Sequence, residues 1–167
     1  MLIIEKDLEF NFSDALCAIK FDDCAIHGNN SMKRVDFISE YDDCYRFIEV
    51  KDPDFADATE ENRKQFRQNL MSGKLLNSFA GKYRDSFLFR QLEGKNNKPV
   101  DYIVLLSMAS LDDALLINKT DQLHREIPLT HNTWTSSSAR NCVILNLQKY
   151  KEVFGEGSVR RISKGAE

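Results

Sequence analysis

The sequence predicts an α/β protein with a mixed central β-sheet flanked by helices. Three observations predict it. Short apolar runs bounded by Asp, Pro or Gly recur near residues 34–40, 44–50, 100–107 and 141–147, as strands packed into a core do. Residues 58–93 repeat apolar side chains at spacings of three to four, the period of a helix. In the second half the two patterns alternate, which favours strands joined by helices that cover the sheet faces.

Met1 to Phe12 reads as extended chain, with Phe10 and Phe12 alternating. Ser13 is placed to cap a short helix over about Asp14–Phe21. Gly28, Asn29 and Asn30 favour turns within Asp22–Ser31. Arg34–Glu40 and Cys44–Val50 are two strands around an Asp42-Asp43 turn, close enough to form a hairpin. Pro53 has no N–H to give and ends the second strand.

The stripe Phe66, Leu70, Leu76, Phe79, Tyr83, Phe87 predicts helix from about Ala58 to Glu93. Gly73 and Gly81 each cost roughly 1 kcal/mol inside a helix. Two helices or one kinked helix are therefore expected, stopped by Gly94. Val100–Ser107 is a buried strand after Pro99. Ser110 with Asp113 resembles a capping box and opens a helix over Leu111–Leu123. Thr130–Ala139 is a polar loop, Asn141–Leu147 a strand, and Lys149–Phe154 one helical turn before Gly155. The order is helix, strand, strand, long helix, strand, helix, strand, with room for one more early strand. A frayed tail is expected over about 160–167.

A chain of 167 residues fits a single domain. With 42% hydrophobic and 29% charged residues it has a globular profile rather than a disordered one. No apolar run approaches the ~20 residues that cross a bilayer. Glu5, Asp7 and Glu9 occupy the place of a secretory leader's apolar segment. The expectation is a soluble cytoplasmic protein with no membrane partner. Cys17, Cys24, Cys44 and Cys142 match no CxxC or zinc-finger spacing and read as free thiols of a reducing compartment.

The net charge of −3 is unevenly spread. Residues 1–61 hold 6 basic and 16 acidic side chains, whereas residues 62–98 hold 9 basic and 2 acidic. A whole-chain basic footprint for nucleic acid is absent, but a local one exists in the middle third. Arg63, Lys64, Arg67, Lys74, Lys82, Arg84 and Arg90 are placed to follow a phosphate backbone, or else to form a solvated helix face.

The chemistry-bearing constellation is Asp36 on the first hairpin strand and Glu49-Val50-Lys51 on the second. Glu49 and Lys51 are two apart and share one face of the strand. Charged groups on a packed strand need a reason, and a divalent cation supplies one. The Asp36 and Glu49 carboxylates and the Val50 carbonyl are hard oxygens suited to Mg²⁺ or Mn²⁺. Beside the metal, Lys51 can orient a water and stabilise negative charge on a phosphate.

An Asp, a gap of 12 residues, then Glu-x-Lys resembles the PD-(D/E)xK superfamily of metal-dependent nucleases. The resemblance covers about Asp14–Leu147, and the element order is similar to that superfamily's restriction-endonuclease-like core, a four-stranded mixed sheet flanked by helices. Val35 stands where the motif has proline, and no QxxxY feature of the RecB-like branch is present. The resemblance implies catalytic Asp36, Glu49 and Lys51, and a further acid from the first helix, for which Asp14 is the candidate with Glu9 behind it. It implies a phosphodiesterase acting on nucleic acid, with DNA the expected substrate.

Other readings compete with it. The same fold can serve as a non-catalytic binding module or subunit, with specificity supplied by a partner or by dimerisation. The hairpin can also be a solvated face whose cross-strand ion pairs are worth about 0–1 kcal/mol. The acidic first third can dock a basic partner.

Overall fold

The computed structural model describes residues 1–28 and 30–163. The chain is a mixed α/β protein with two sheets and five helices among the described residues. The strands are β1 (Leu2–Glu5), β2 (Leu8–Asn11), β3 (Cys17–Lys20), β4 (Phe37–Glu40), β5 (Tyr45–Lys51), β6 (Val100–Leu106), β7 (Asn141–Leu145) and β8 (Val159–Arg161). The helices are α1 (Cys24–His27), α2 (Glu60–Met71), α3 (Lys74–Leu92), α4 (Asp113–Glu126) and α5 (Leu147–Phe154).

The central sheet has the order β3-β4-β5-β6-β7. Its first half is antiparallel and its second half, β5-β6-β7, is parallel. The hairpin β4-β5 forms as expected, with Phe37 opposite Ile48 and Glu40 opposite Tyr45. The parallel strands are reached through helices, as parallel pairing requires. Alternation along β6 sends Tyr102, Val104 and Leu106 to one core and Ile103 and Leu105 to the other.

Each core lies on one face of the sheet. On one side Leu76, Phe79 and Tyr83 of α3 and Leu116 and Leu123 of α4 pack over Phe47, Tyr102 and Val104. On the other, a small sheet β1-β2-β8 and α5 bring Leu8, Phe10, Val159 and Tyr150 onto Phe37, Ile48, Ile103 and Leu105.

Several expectations are corrected. The helix over Asp14–Phe21 is instead strand β3. Ala18 packs into one core and Ile19 against the other, a period of two rather than 3.6. The main chain extends this ladder at both ends: Leu16 N–H donates to the Glu40 carbonyl and Phe21 N–H to that of Asp36, each at 2.8 Å. Ser13 caps nothing, and its N–H is taken by Asn11 Oδ1 at 3.0 Å. The extended start is two strands, turning at Lys6 with φ 54°. Asp112, not Ser110, caps α4 by accepting the Leu115 N–H at 2.8 Å. Helix α5 begins earlier than expected because Asn146 caps it through the Lys149 N–H. Residues 159–161 are a strand rather than a frayed tail, while 164–167 lie outside the described residues.

The break in the 58–93 segment falls at Gly73, whose φ of 81° is a left-handed turn that ordinary residues avoid. Thr59 caps α2 by accepting the Asn62 N–H, with Glu60 and Glu61 in its first turn. Gly81 continues smoothly within α3. A Cβ there would stand 3.3 Å from the Lys33 side chain, so this glycine lets the chain before β4 lie close on the helix.

Candidate active site

The face of β5 that carries Glu49 and Lys51 is not open to solvent. It lies under α3, the helix that also covers Phe47. Glu49 is fully buried and Asp36 is 4% exposed. Such a site keeps its charges only if they are paired and hydrogen-bonded, and these are.

Asp36 sits one residue before β4, where the register, continued, runs opposite Glu49, with Val35 falling opposite Val50. The Asp36 side chain replaces the missing ladder acceptor: Oδ2 takes the Val50 N–H at 2.6 Å. The preceding chain is held on α3, with Lys33 N–H donating to Asp85 Oδ2 at 2.8 Å and Val35 N–H to Ser86 Oγ at 3.0 Å. Lys51 Nζ lies 2.5 Å from Glu49 Oε1 and 3.3 Å from the Val50 carbonyl. The structure therefore brings Asp36, Glu49, Val50 and Lys51 to one place.

Lys82 of α3 completes the cluster. Its ammonium is 2.7 Å from the Glu49 carboxylate and 3.3 Å from Asp36 Oδ1. By sequence Lys82 falls among the residues placed to follow a nucleic-acid backbone, not among the site residues. A signal is present all the same: Lys82 falls three after Phe79 and one before Tyr83, on the inward side of a helix where a lysine needs an acidic partner.

Asp14 does not join the site. It is exposed in the turn before β3, at the end of the hairpin where Leu16 meets Glu40, whereas Asp36 precedes the opposite end of β4. Once the first helix becomes a strand, its acid has no route to the cluster. A different acid follows β3. Asp22 comes directly after Phe21, whose N–H bonds the Asp36 carbonyl. Its Oδ1 is buried without a hydrogen-bond partner among the described residues.

Electrostatics follow from this packing. Burial, then the neighbouring Asp36 charge, push the Glu49 carboxyl up to about 7, against the pull of Lys51 and Lys82. Burial works against the Lys82 ammonium, yet Glu49 and Asp36 outweigh it and hold its pKa above the ordinary lysine value. Burial and then Asp36 also raise the Asp22 carboxyl.

A hard dication fits the donor set in chemistry: two carboxylates and one carbonyl. Mg²⁺ commonly binds proteins through one or two carboxylates and retains water elsewhere. No group of three or more His, Cys, Asp or Glu side chains placed to hold a metal occurs among the described residues. Any ion here would rest on Asp36 and Glu49 with the Val50 carbonyl.

The remaining basic residues of 62–98 divide. Arg63 pairs with Asp54, Arg67 bonds Ser110 Oγ, and Arg90 is buried against Glu93. Lys74 and Arg84 instead line a cleft of about 490 Å³ with Lys33, Asn69, Asn77, Ser78 and Gly81, and no carboxylate lines it. The histidines lie away from the cluster: His124 contacts the Cys142 carbonyl, His131 contacts Thr133, and His27 packs between Phe21 and Phe89.

In comparison with known proteins, no family model, no curated protein and no solved structure matches the chain. No helix is long and apolar enough to cross a membrane among the described residues.

Proposed function

We propose that this chain is a divalent-cation-dependent phosphodiesterase that cleaves nucleic acid, DNA in the first instance, with a restriction-endonuclease-like core. One observation carries the reading: the Asp36 and Glu49 carboxylates share the Lys82 ammonium at 3.3 and 2.7 Å, and Lys51 bonds Glu49 at 2.5 Å, so two acids and a lysine foreign to a normal sheet interior converge on the edge of a buried cluster. A sheet whose first half is antiparallel and whose later strands are joined through helices is compatible with that core, although β3 takes the place of the expected first helix.

Asp36 and Glu49, with the Val50 carbonyl, would hold Mg²⁺ or Mn²⁺. Such an ion supplies Lewis acidity towards a phosphodiester oxygen and lowers the pKa of water. The chain does the rest. The Val50 N–H fixes the Asp36 carboxylate and so sets its position relative to Glu49. Lys51, with a side chain 29% exposed, is the cluster's most accessible charged group. It can meet a phosphate oxygen and stabilise the charge that grows there. The cleft of Lys33, Lys74 and Arg84 is lined by Gly81, the residue before Lys82 in sequence, and offers three cations to neighbouring phosphates.

Purified protein is incubated with plasmid, single-stranded DNA and RNA in Mg²⁺, Mn²⁺ or EDTA. Metal-dependent cleavage that disappears in Lys51→Ala supports the reading. Equal cleavage by both proteins rejects it.

Lys82 favours a second reading, a non-catalytic module of the same fold that binds nucleic acid or a protein partner. Its ammonium, with that of Lys51, already balances the two carboxylates without any ion. A thermal melt unmoved by millimolar Mg²⁺ or Mn²⁺ supports that alternative, since a ligand bound only by the folded state must raise stability.

A further inference from the structure

The position of Lys82 bears on how the site is loaded. We propose that Lys82 is the resident cation of this site, and that a divalent ion binds only by exchanging with its ammonium. The proposal rests on the cation-dependent reading above and adds its regulation: α3 governs how tightly the ion is held.

The geometry argues for exchange rather than addition. Lys82 reaches the Glu49 carboxylate at 2.7 Å and Asp36 Oδ1 at 3.3 Å, the two side chains that would ligate an ion. A dication and an ammonium on the same oxygens repel strongly where the surroundings are this dry. Glu49 is fully buried, and the Lys82 side chain is 21% exposed. Only one of the two cations can occupy the position.

Lys82 is also held in register. Ser86, one turn further along α3, accepts the Val35 N–H, and Asp85 accepts that of Lys33. The Lys33 side chain lies over Gly81. The chain leading into Asp36 is thus fastened to the same helix that delivers the ammonium. Phe79 and Tyr83, on either side of Lys82, are buried in the core beneath. The carboxylates and their internal counter-ion form one unit. Lys51 cannot take over the role: it bonds Glu49 and the Val50 carbonyl from the more open side and makes no contact with Asp36 among the described residues.

Exchange makes ion binding weaker than the two carboxylates alone would allow, and it releases an ammonium when the ion arrives. Lys82 directly follows Gly81, which lines the cleft of Lys33, Lys74 and Arg84. The released ammonium is then free to pair with a phosphate, so ion and nucleic acid assist each other's binding, a coupling that must be reciprocal.

The test is calorimetric titration of the full chain with Mn²⁺ and Mg²⁺, comparing wild type, Lys82→Met and Lys82→Gln, with the metal-free melting temperature of each recorded. Lys82→Gln keeps polarity should Lys82→Met fold poorly. The expected result is at least tenfold tighter Mn²⁺ binding in the variants. Their metal-free melting temperature at pH 8 is lower and is recovered on adding Mn²⁺. Unchanged or weaker Mn²⁺ binding in the folded variants overturns the exchange while leaving the cation-dependent reading intact. Absence of binding to all three proteins removes the cation-dependent reading, and the exchange with it.

Discussion

Asp36 Oδ2 accepts the backbone N–H of Val50 at 2.6 Å, so a side chain just ahead of β4 takes up a main-chain donor of β5. The carboxylate has two separable duties. It satisfies a buried donor between Glu49 and Lys51, and it presents its other oxygen towards Lys82. Asp36→Asn keeps an acceptor for the Val50 N–H while losing the charge. Its stability should stay within about 1 kcal/mol of wild type, with cleavage abolished. Asp36→Ala leaves that N–H bare and should cost about 1–3 kcal/mol. Urea unfolding and a cleavage assay on both variants separate the duties. Equal stability of the two would show that the hydrogen bond contributes nothing.

Glu49 sets a pH dependence. Its folded-state carboxyl, at about 7, lies above the ordinary value of 4.5, so the folded protein binds this proton more tightly than the unfolded chain does. Stability from this group is therefore full below about 4.5 and is lost as pH rises through about 7. Glu49→Gln removes the cost of the buried charge. It should be more stable than wild type at pH 8 by as much as about 3 kcal/mol, with the gain fading towards pH 4.5. Denaturant melts from pH 4.5 to 8 measure this. A constant difference between the proteins across that range would refute it. Loss of cleavage in the more stable variant would be the trade expected of a strained functional group.

The cleft between Lys33, Lys74 and Arg84 makes a separate prediction about affinity. Charge reversal of all three, Lys33→Glu with Lys74→Glu and Arg84→Glu, should weaken duplex binding by at least tenfold in 100 mM salt. The slope of log affinity against log salt should become shallower by about 0.9 for every phosphate that is no longer neutralised. Fluorescence anisotropy with a labelled duplex at several salt concentrations reads both. An unchanged slope would place the nucleic acid elsewhere. The melting temperature should hardly move, because these side chains are exposed.

How far the sequence was legible depended on how local each cause was. The hairpin β4-β5, the break at Gly73 and the buried strands β6 and β7 follow from patterns contained in their own residues. Asp36, Glu49 and Lys51 were legible for the same reason, since strand alternation and one hairpin bring them together. Strand β3 was not. Ser13 and Asp14 suit a helix start, and only the pairing with β4 makes residues 17–20 extended. With that helix went the argument for Asp14. The small sheet was also hidden, because β8 is three residues long and finds β2 from the far end of the chain. Lys82 required knowing which face of α3 covers β5, a relation between elements roughly thirty residues apart in the chain.

The far end of the chain yields the last prediction. Arg161 of β8 holds Asp52 with both arms of its guanidinium, at 2.8 and 3.0 Å, and reaches Asp7 at 2.9 Å and Ser107 Oγ at 2.5 Å. The Asp52 side chain is fully buried and directly follows Lys51. A buried ion pair adds little over an apolar substitute, but breaking one by deleting a single partner strands the other charge. Arg161→Met should therefore cost about 3–5 kcal/mol. Arg161→Lys should recover only part of this, since one ammonium cannot replace a two-armed fork. Adding Asp52→Asn to Arg161→Met should restore some of the loss, and the cycle of single and double variants measures the coupling. The end of β5 should loosen in the Met variant, so Mn²⁺ affinity should fall together with stability although Arg161 touches neither Asp36 nor Glu49. If stability falls and Mn²⁺ affinity does not, the clamp holds the small sheet to the fold without positioning the site.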